Sequence, residues 1–226
     1  MKHASFAAIA LVASSLLPSA AQAAQIIPVS YSMPNGDGTA SGGSFNYWDA
    51  GYSGSGATTT DGALLSGGLG KLTDGVVSTS PWYTVSNLSG TGEYVGWYSP
   101  VTLDPTVTFF FSGVPTITSI DIQLDNTQVG GVFAPAAILI DGVSAAFTAP
   151  SPLGTVSFTG LNLTGPSHTI QFQQTPGTWT FVSEITFDGA VSAAPEPATW
   201  TMMIVGFGMG GAALRRRRKS GNAALA

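Results

Sequence analysis

Trp179-Thr180-Phe181-Val182-Ser183-Glu184-Ile185-Thr186-Phe187 is the stretch on which the fold turns. Successive side chains of a strand point to opposite faces, so Trp179, Phe181, Ile185 and Phe187 share one face. Thr180, Val182, Glu184 and Thr186 share the other, which keeps Glu184 out of the core. The same two-residue period recurs upstream over residues 106–111, 119–124, 136–140, 143–148, 155–163 and 168–173, with Ile120, Ile122 and Leu124 on one face of the second. Gly, Pro, Asn or Asp separates these segments. Strands recurring at roughly 8–12 residues or slightly more, with no helical pattern between them, predict an all-β antiparallel β-sandwich or jelly roll.

Upstream the pattern weakens. Residues 25–70 are rich in Gly, Ser and Thr, carry aromatics at Phe45, Tyr47, Trp48 and Tyr52, and predict long loops or short edge strands. Asn35-Gly36-Asp37-Gly38 opens like a calcium loop, but it lacks the later acidic positions and terminal Glu of an EF-hand, so turn chemistry is the reading.

Both ends of the chain differ from this body. Lys2 and His3 precede an apolar run from Phe6 to Leu17, then Pro18 and the small-residue site Ala21-Gln22-Ala23. That pattern predicts a secretory signal peptide over residues 1–23, removed on export. At the other end Pro195-Glu196-Pro197 and Trp200 lead into a segment, 198–214, of 17 uncharged residues, closed by Arg215, Arg216, Arg217, Arg218 and Lys219. This is at the short end of the roughly 17–25 residues that cross a bilayer, and it predicts a single C-terminal transmembrane helix. The basic run would hold residues 220–226 in the cytoplasm and leave the body outside. Gly206-Phe207-Gly208-Met209-Gly210-Gly211 matches a dinucleotide fingerprint by letter only, since no strand precedes it and arginines close it.

Pro195, Glu196, Pro197, Trp200 and the cluster Arg215, Arg216, Arg217 and Arg218 resemble the PEP-CTERM sorting signal of Gram-negative bacteria, in its PEPxxW variant, over 195–219. The residue after the Trp is Thr201 where that family commonly has Ala. The resemblance implies transient partnership with an exosortase and the inner membrane. It also implies processing near Pro-Glu-Pro and delivery to the outer surface or extracellular matrix.

Between the signals, residues 24–194 are long enough for one domain with a sizeable core. This body holds nine Asp, Glu93 and Glu184 against a single cation, Lys71, although the whole chain has a net charge of only −5. Such a field repels phosphate backbones, so nucleic acid is not an expected partner. The chain has no cysteine, so no disulfide staples it despite its export.

Lys71-Leu72-Thr73-Asp74-Gly75, the pairs Trp82-Tyr83 and Trp97-Tyr98, the Ile120-Asp121-Ile122 strand and the stretch 181–187 together resemble the discoidin or galactose-binding-like jelly roll over 70–188. That resemblance implies a structural calcium held by Asp74 and Glu184, with the Lys71 carbonyl as third ligand. An acidic, cysteine-free exported domain offers the oxygen ligands that calcium takes. The alternative is that Asp74 only forms a turn with Gly75 and that Glu184 is a solvated strand residue.

Trp82, Tyr83, Trp97 and Tyr98 are candidates for stacking on sugar rings, though aromatics are also routine core material. His168 is the body's lone histidine and reads as a strand residue. No G-x-S-x-G elbow or H-x-x-x-H spacing occurs, and nothing in the carboxylate spacing singles out a catalytic pair. Asn87-Leu88-Ser89 and Asn162-Leu163-Thr164 fit glycosylation acceptors by letter, without meaning in a bacterial product. The expected function is that of a non-catalytic surface or matrix protein that binds exopolysaccharide. A polysaccharide-active enzyme and a purely structural coat protein are the alternatives.

Overall fold

The computed structural model describes residues 24–38, 46–85, 92–190, 202–209, 211 and 215. Eleven strands form two antiparallel sheets: β1 (Ala24–Gln25), β2 (Ser30–Pro34), β3 (Leu64–Gly68), β4 (Val95–Tyr98), β5 (Thr106–Phe110), β6 (Thr116–Asp125), β7 (Ala137–Ile140), β8 (Val143–Ala145), β9 (Leu153–Thr164), β10 (Ser167–Gln173) and β11 (Trp179–Ala190). One sheet runs β1-β11-β6-β9 with β4 also paired to β11, and the other runs β3-β2-β5-β10-β7-β8. This is the all-β sandwich that the two-residue period predicts.

The core lies between the sheets. Ile117, Ile120, Ile122 and Leu124 of β6 and Val182, Ile185 and Phe187 of β11 meet Tyr31, Met33, Val107, Phe109, Ile138, Ile170 and Phe172 from the facing sheet. Each fully buried side chain of this size contributes about 1.5–3 kcal/mol, so burial here outweighs any single polar contact.

The expected single face of the last strand is broken by a bulge. Val182 pairs with Leu124 and Glu184 with Gln123, so Ser183 is an extra residue and the alternation reverses across it. Ile185, Phe187 and Val182 therefore face the sandwich core, whereas Trp179 and Phe181 join Tyr47, Trp82, Tyr94 and Val132 in a second cluster on the opposite side of the sheet. β4 is packed so closely there that a Cβ on Gly96 would lie 2.1 Å from Phe181 Cε1. Gly96→Ala is expected to cost about 1–3 kcal/mol by overpacking, read from urea unfolding. A change under about 0.5 kcal/mol would mean the Phe181 ring gives way freely.

In the Gly- and Ser-rich region β3 is a short edge strand, as expected, but β2 departs from expectation. β2 is an interior strand between β3 and β5, and its Tyr31 and Met33 are core residues. Composition hid it because only five residues are extended and polar residues alternate with the buried ones.

Residues 202–209 are helical and exposed, and no helix among the described residues is long and apolar enough to cross a membrane. The remainder of the span expected over 198–214 falls mostly outside the described residues. So do the signal peptide, Pro195, Glu196, Pro197, Trp200, Arg216, Arg217, Arg218 and Asn87-Leu88-Ser89. Arg215 is described and exposed.

Candidate functional site

After β3 the chain makes one 3-10 turn, Lys71–Thr73, and then Asp74 accepts a hydrogen bond from Val76 N at 2.9 Å. This Asx-type turn throws residues 75–80 across the outer face of the sheet that contains β11. Glu184 accepts from Gly75 N at 3.0 Å, Ser183 Oγ from Ser78 N at 3.1 Å, and Gln123 Nε2 donates to Ser78 O at 2.7 Å. The bulge thus turns two adjacent polar side chains into fasteners for the crossing segment.

Glu184 is consequently only 4% exposed, which corrects the reading of it as a solvated strand residue while keeping it off the core. The structure brings Asp74 and Glu184 together, near enough for each carboxyl to act on the other. Burial pushes the Glu184 carboxyl up to about 7; the Gly75 amide opposes this and the nearby Asp74 charge adds to it. Burial also raises Asp74, against the Val76 amide and the Lys71 ammonium. Glu184 is buried and Asp74 lies exposed beside it, and two carboxyls so placed can share a proton or hold a cation.

Lys71 is buried too. Its ammonium donates to Trp48 O at 2.6 Å and lies 3.5 Å from Tyr94 O. Burial lowers it to about 8 despite Asp49 and Asp74 nearby. With the ammonium turned to these carbonyls, the donor set at the turn is two carboxylates and backbone oxygens. That set fits a hard cation such as calcium, which takes six to eight oxygens and would complete its shell with water. Among the described residues no group of three or more His, Cys, Asp or Glu is placed to hold a metal. Beside the turn, Lys71, Asp74 and Glu93 line an open cleft of about 450 Å³ with Gly51, Gly70 and Val76.

The residues beneath this cleft had no signal in the sequence. Asp49 is fully buried and accepts from the Tyr31 hydroxyl and, at 3.1 Å, from Lys71 N. Asn35 Oδ1 accepts from both Gly36 N and Asp49 N at 2.9 Å, which pins the loop to the strand. Asn35-Gly36-Asp37-Gly38 is buried and forms no turn, against the expectation: its backbone runs on from β2 and bonds across to Ala63 O and Gly96 O. Asp37 accepts from Tyr98 N at 2.7 Å and Thr102 Oγ1 at 2.9 Å, and desolvation pushes its carboxyl up to about 6.

The four aromatic candidates separate sharply. Trp97 is 0% exposed, lies over Phe172 at 5.8 Å, and donates Nε1–H to Pro34 O at 2.9 Å, so its ring is core and has no free face. Trp82 belongs to the second cluster, with its backbone N–H held by Asp125 at 2.7 Å. Tyr98 stacks on Trp179 at 4.9 Å. Only Tyr83 of the four is exposed, at 46%.

His168 lies on β10 as expected, buried, with Nδ1 at 2.7 Å from Asp141 Oδ2 and Nε2 without a partner among the described residues. It sits on the other sheet, away from the Asp74–Glu184 pair.

The DS-like domain of discoidin domain-containing receptors 1 and 2 matches residues 28–150. The chain belongs to this family. In this DS-like chain the sandwich is of the galactose-binding type, and residues 193–218 match the PEP-CTERM protein-sorting motif. The motif marks the DS-like body as exosortase cargo, exported and directed to the envelope. Solved structures similar to it include a truncated AlyQ with CBM32 and alginate lyase domains, 12% identical over 78% of this chain and 36% of that one, with a TM-score of 0.41. A family 32 CBM from C. perfringens NanJ, in complex with galactose, is 15% identical over 43% of this chain and 79% of its own, with a TM-score of 0.31. A fucolectin from striped bass (Morone saxatilis) serum is 11% identical over 74% and 79%, with a TM-score of 0.34. No curated protein matches the sequence.

Proposed function

We propose that this DS-like protein is a non-catalytic surface or matrix component of a Gram-negative bacterium that holds exopolysaccharide. Its tail would span the inner membrane until an exosortase cuts near Pro195-Glu196-Pro197. Calcium at Asp74 and Glu184, with the Lys71 carbonyl as third ligand, would brace the turn that walls the cleft. The observation that supports this most is the joining of an acidic, open-clefted galactose-binding-type sandwich to a sorting motif in one chain. Sugar-binding modules among the similar structures accord with it.

Two measurements test this function. Removal of residues 195–226 is expected to leave export intact and to send the protein free into periplasm or medium, because signal peptide and tail act separately. Unchanged envelope association on fractionation counts against the tail as anchor. In affinity electrophoresis of the full chain through exopolysaccharide, Tyr83→Ala is expected to weaken retardation roughly five- to ten-fold, the size of one lost aromatic contact. Equal mobility with and without polysaccharide would leave a structural coat as the function.

A further inference from the structure

The strand ends gather four connections at one pole of the sandwich, and they are bonded to one another. Val29 N donates to Phe110 O at 2.8 Å, Phe111 N to Pro166 O at 2.8 Å, and Gly165 N to Pro115 O at 3.4 Å. β1 pairs Ala24 with Gly189, and Thr116 pairs with both Ala190 and Thr164. Ile27, Val29, Phe110 and Val114 at this pole are all exposed, and the connecting residues 26–29, 111–115 and 165–166 carry no charge, while the fourth connection, the Asp141-Gly142 turn, brings one exposed carboxylate that lies 2.7 Å from His168 Nδ1.

The sorting segment leaves from this same pole. From Ala190, the end of β11, to Ala198, where the uncharged segment begins, is eight residues, at most about 28 Å even if fully extended. A body so tethered cannot turn its far pole to the bilayer, because the 12-residue β11 alone is about 40 Å long. Anionic headgroups repel carboxylates, so an acidic body meets lipid more easily at a pole where three of the four connections are uncharged.

We propose that this pole is a lipid-contact surface. While the tail is inserted, Ile27, Val29, Phe110 and Val114 rest in the headgroup boundary of the bilayer and hold the cleft side of the sandwich away from the membrane. The proposal rests on the reading of the tail as membrane-inserted. Apolar side chains at such an interface reach roughly 5–10 Å into the boundary, and the contact ends when the tail is cut.

The absence of cysteine makes the test direct. In the full chain, Val114→Cys and Val129→Cys each receive one environment-sensitive fluorophore. The sites are matched in residue type and in exposure, 54% and 50%, and lie at opposite poles. The labelled chains are reconstituted into phosphatidylethanolamine–phosphatidylglycerol vesicles that carry brominated acyl chains. The label at 114 is expected to be quenched about two-fold or more and that at 129 to be unchanged. Ile27→Cys repeats the measurement from a second loop, so a misfolded Val114 variant does not decide the outcome. Quenching at neither pole, or equally at both, in vesicles that float with the protein overturns the lipid contact and leaves tail insertion standing. Protein that does not float with vesicles overturns insertion and the contact together. Quenching at 114 seen only in exosortase-containing membranes assigns the face to the protease and overturns the lipid contact.

Discussion

Asp49→Ala is expected to lower the stability of this protein by about 3–5 kcal/mol, because it strips a buried cation and a buried hydroxyl of one shared partner. Asp49 takes the Tyr31 hydroxyl on one oxygen and Lys71 N on the other, and its charge also supports the buried Lys71 ammonium. Its own carboxyl is raised by burial and held down by the Tyr31 and Lys71 hydrogen bonds. For a domain of this size the loss corresponds to a fall in Tm of roughly 10 °C. Asp49→Asn keeps the shape and one acceptor, so it is expected to lose less than half as much. A fall in Tm under about 3 °C for the alanine variant would mean that water replaces the carboxylate and that the cleft floor is not a dry network.

The second large effect concerns pH and calcium together. Glu184 is raised to about 7 in the folded state and Asp37 to about 6, above their ordinary carboxylate values. A carboxyl whose folded pKa is raised binds more protons folded than unfolded, so stability falls as pH rises through the window from about 4.5 to 7. Without metal, Tm is therefore expected to be higher at pH 5 than at pH 8. On the proposed site, calcium is expected to reverse the penalty at the upper end, where both Asp74 and Glu184 are ionised to receive it. At 100 times its dissociation constant it adds about 2.7 kcal/mol, several degrees of Tm, and at pH 5 the gain shrinks because protons compete for the same oxygens. Glu184→Gln imitates the protonated form. It is expected to melt at or above the wild type at pH 8 in EDTA, to show a flatter pH profile, and to gain nothing from calcium. Identical wild-type curves in calcium and in EDTA at pH 8 would reduce Asp74 to its turn.

The sheets were legible wherever apolar residues alternate over a full strand, as in Ile120, Ile122 and Leu124, since burial on one face leaves that signature directly in the sequence. The last strand shows where alternation misleads. Ser183 and Glu184 are two adjacent polar residues between Val182 and Ile185, and that break in period was the sign of the bulge that parts Phe181 from Ile185. Asp74 and Glu184 were legible as a pair through a family resemblance, but the burial of Glu184 was not, because the segment that covers it comes from more than a hundred positions away in the chain. Trp97 and Trp82 look alike in sequence to exposed stacking residues. Only the packing partners Phe172 and Phe181 distinguish them from Tyr83. Asp49, Tyr31 and Tyr52 form a buried network across a Gly- and Ser-rich region, where neither periodicity nor a motif announces a contact between distant residues.

The most direct measurement is made on the full chain incubated with exopolysaccharide from its own producing cell, with retention and reducing ends followed in the same sample. Retention of the protein on the polymer with no increase in reducing ends over the protein-free control is expected of a surface-delivered DS-like binder. Reducing ends that rise in proportion to protein added, or a chain recovered wholly unbound, would contradict it.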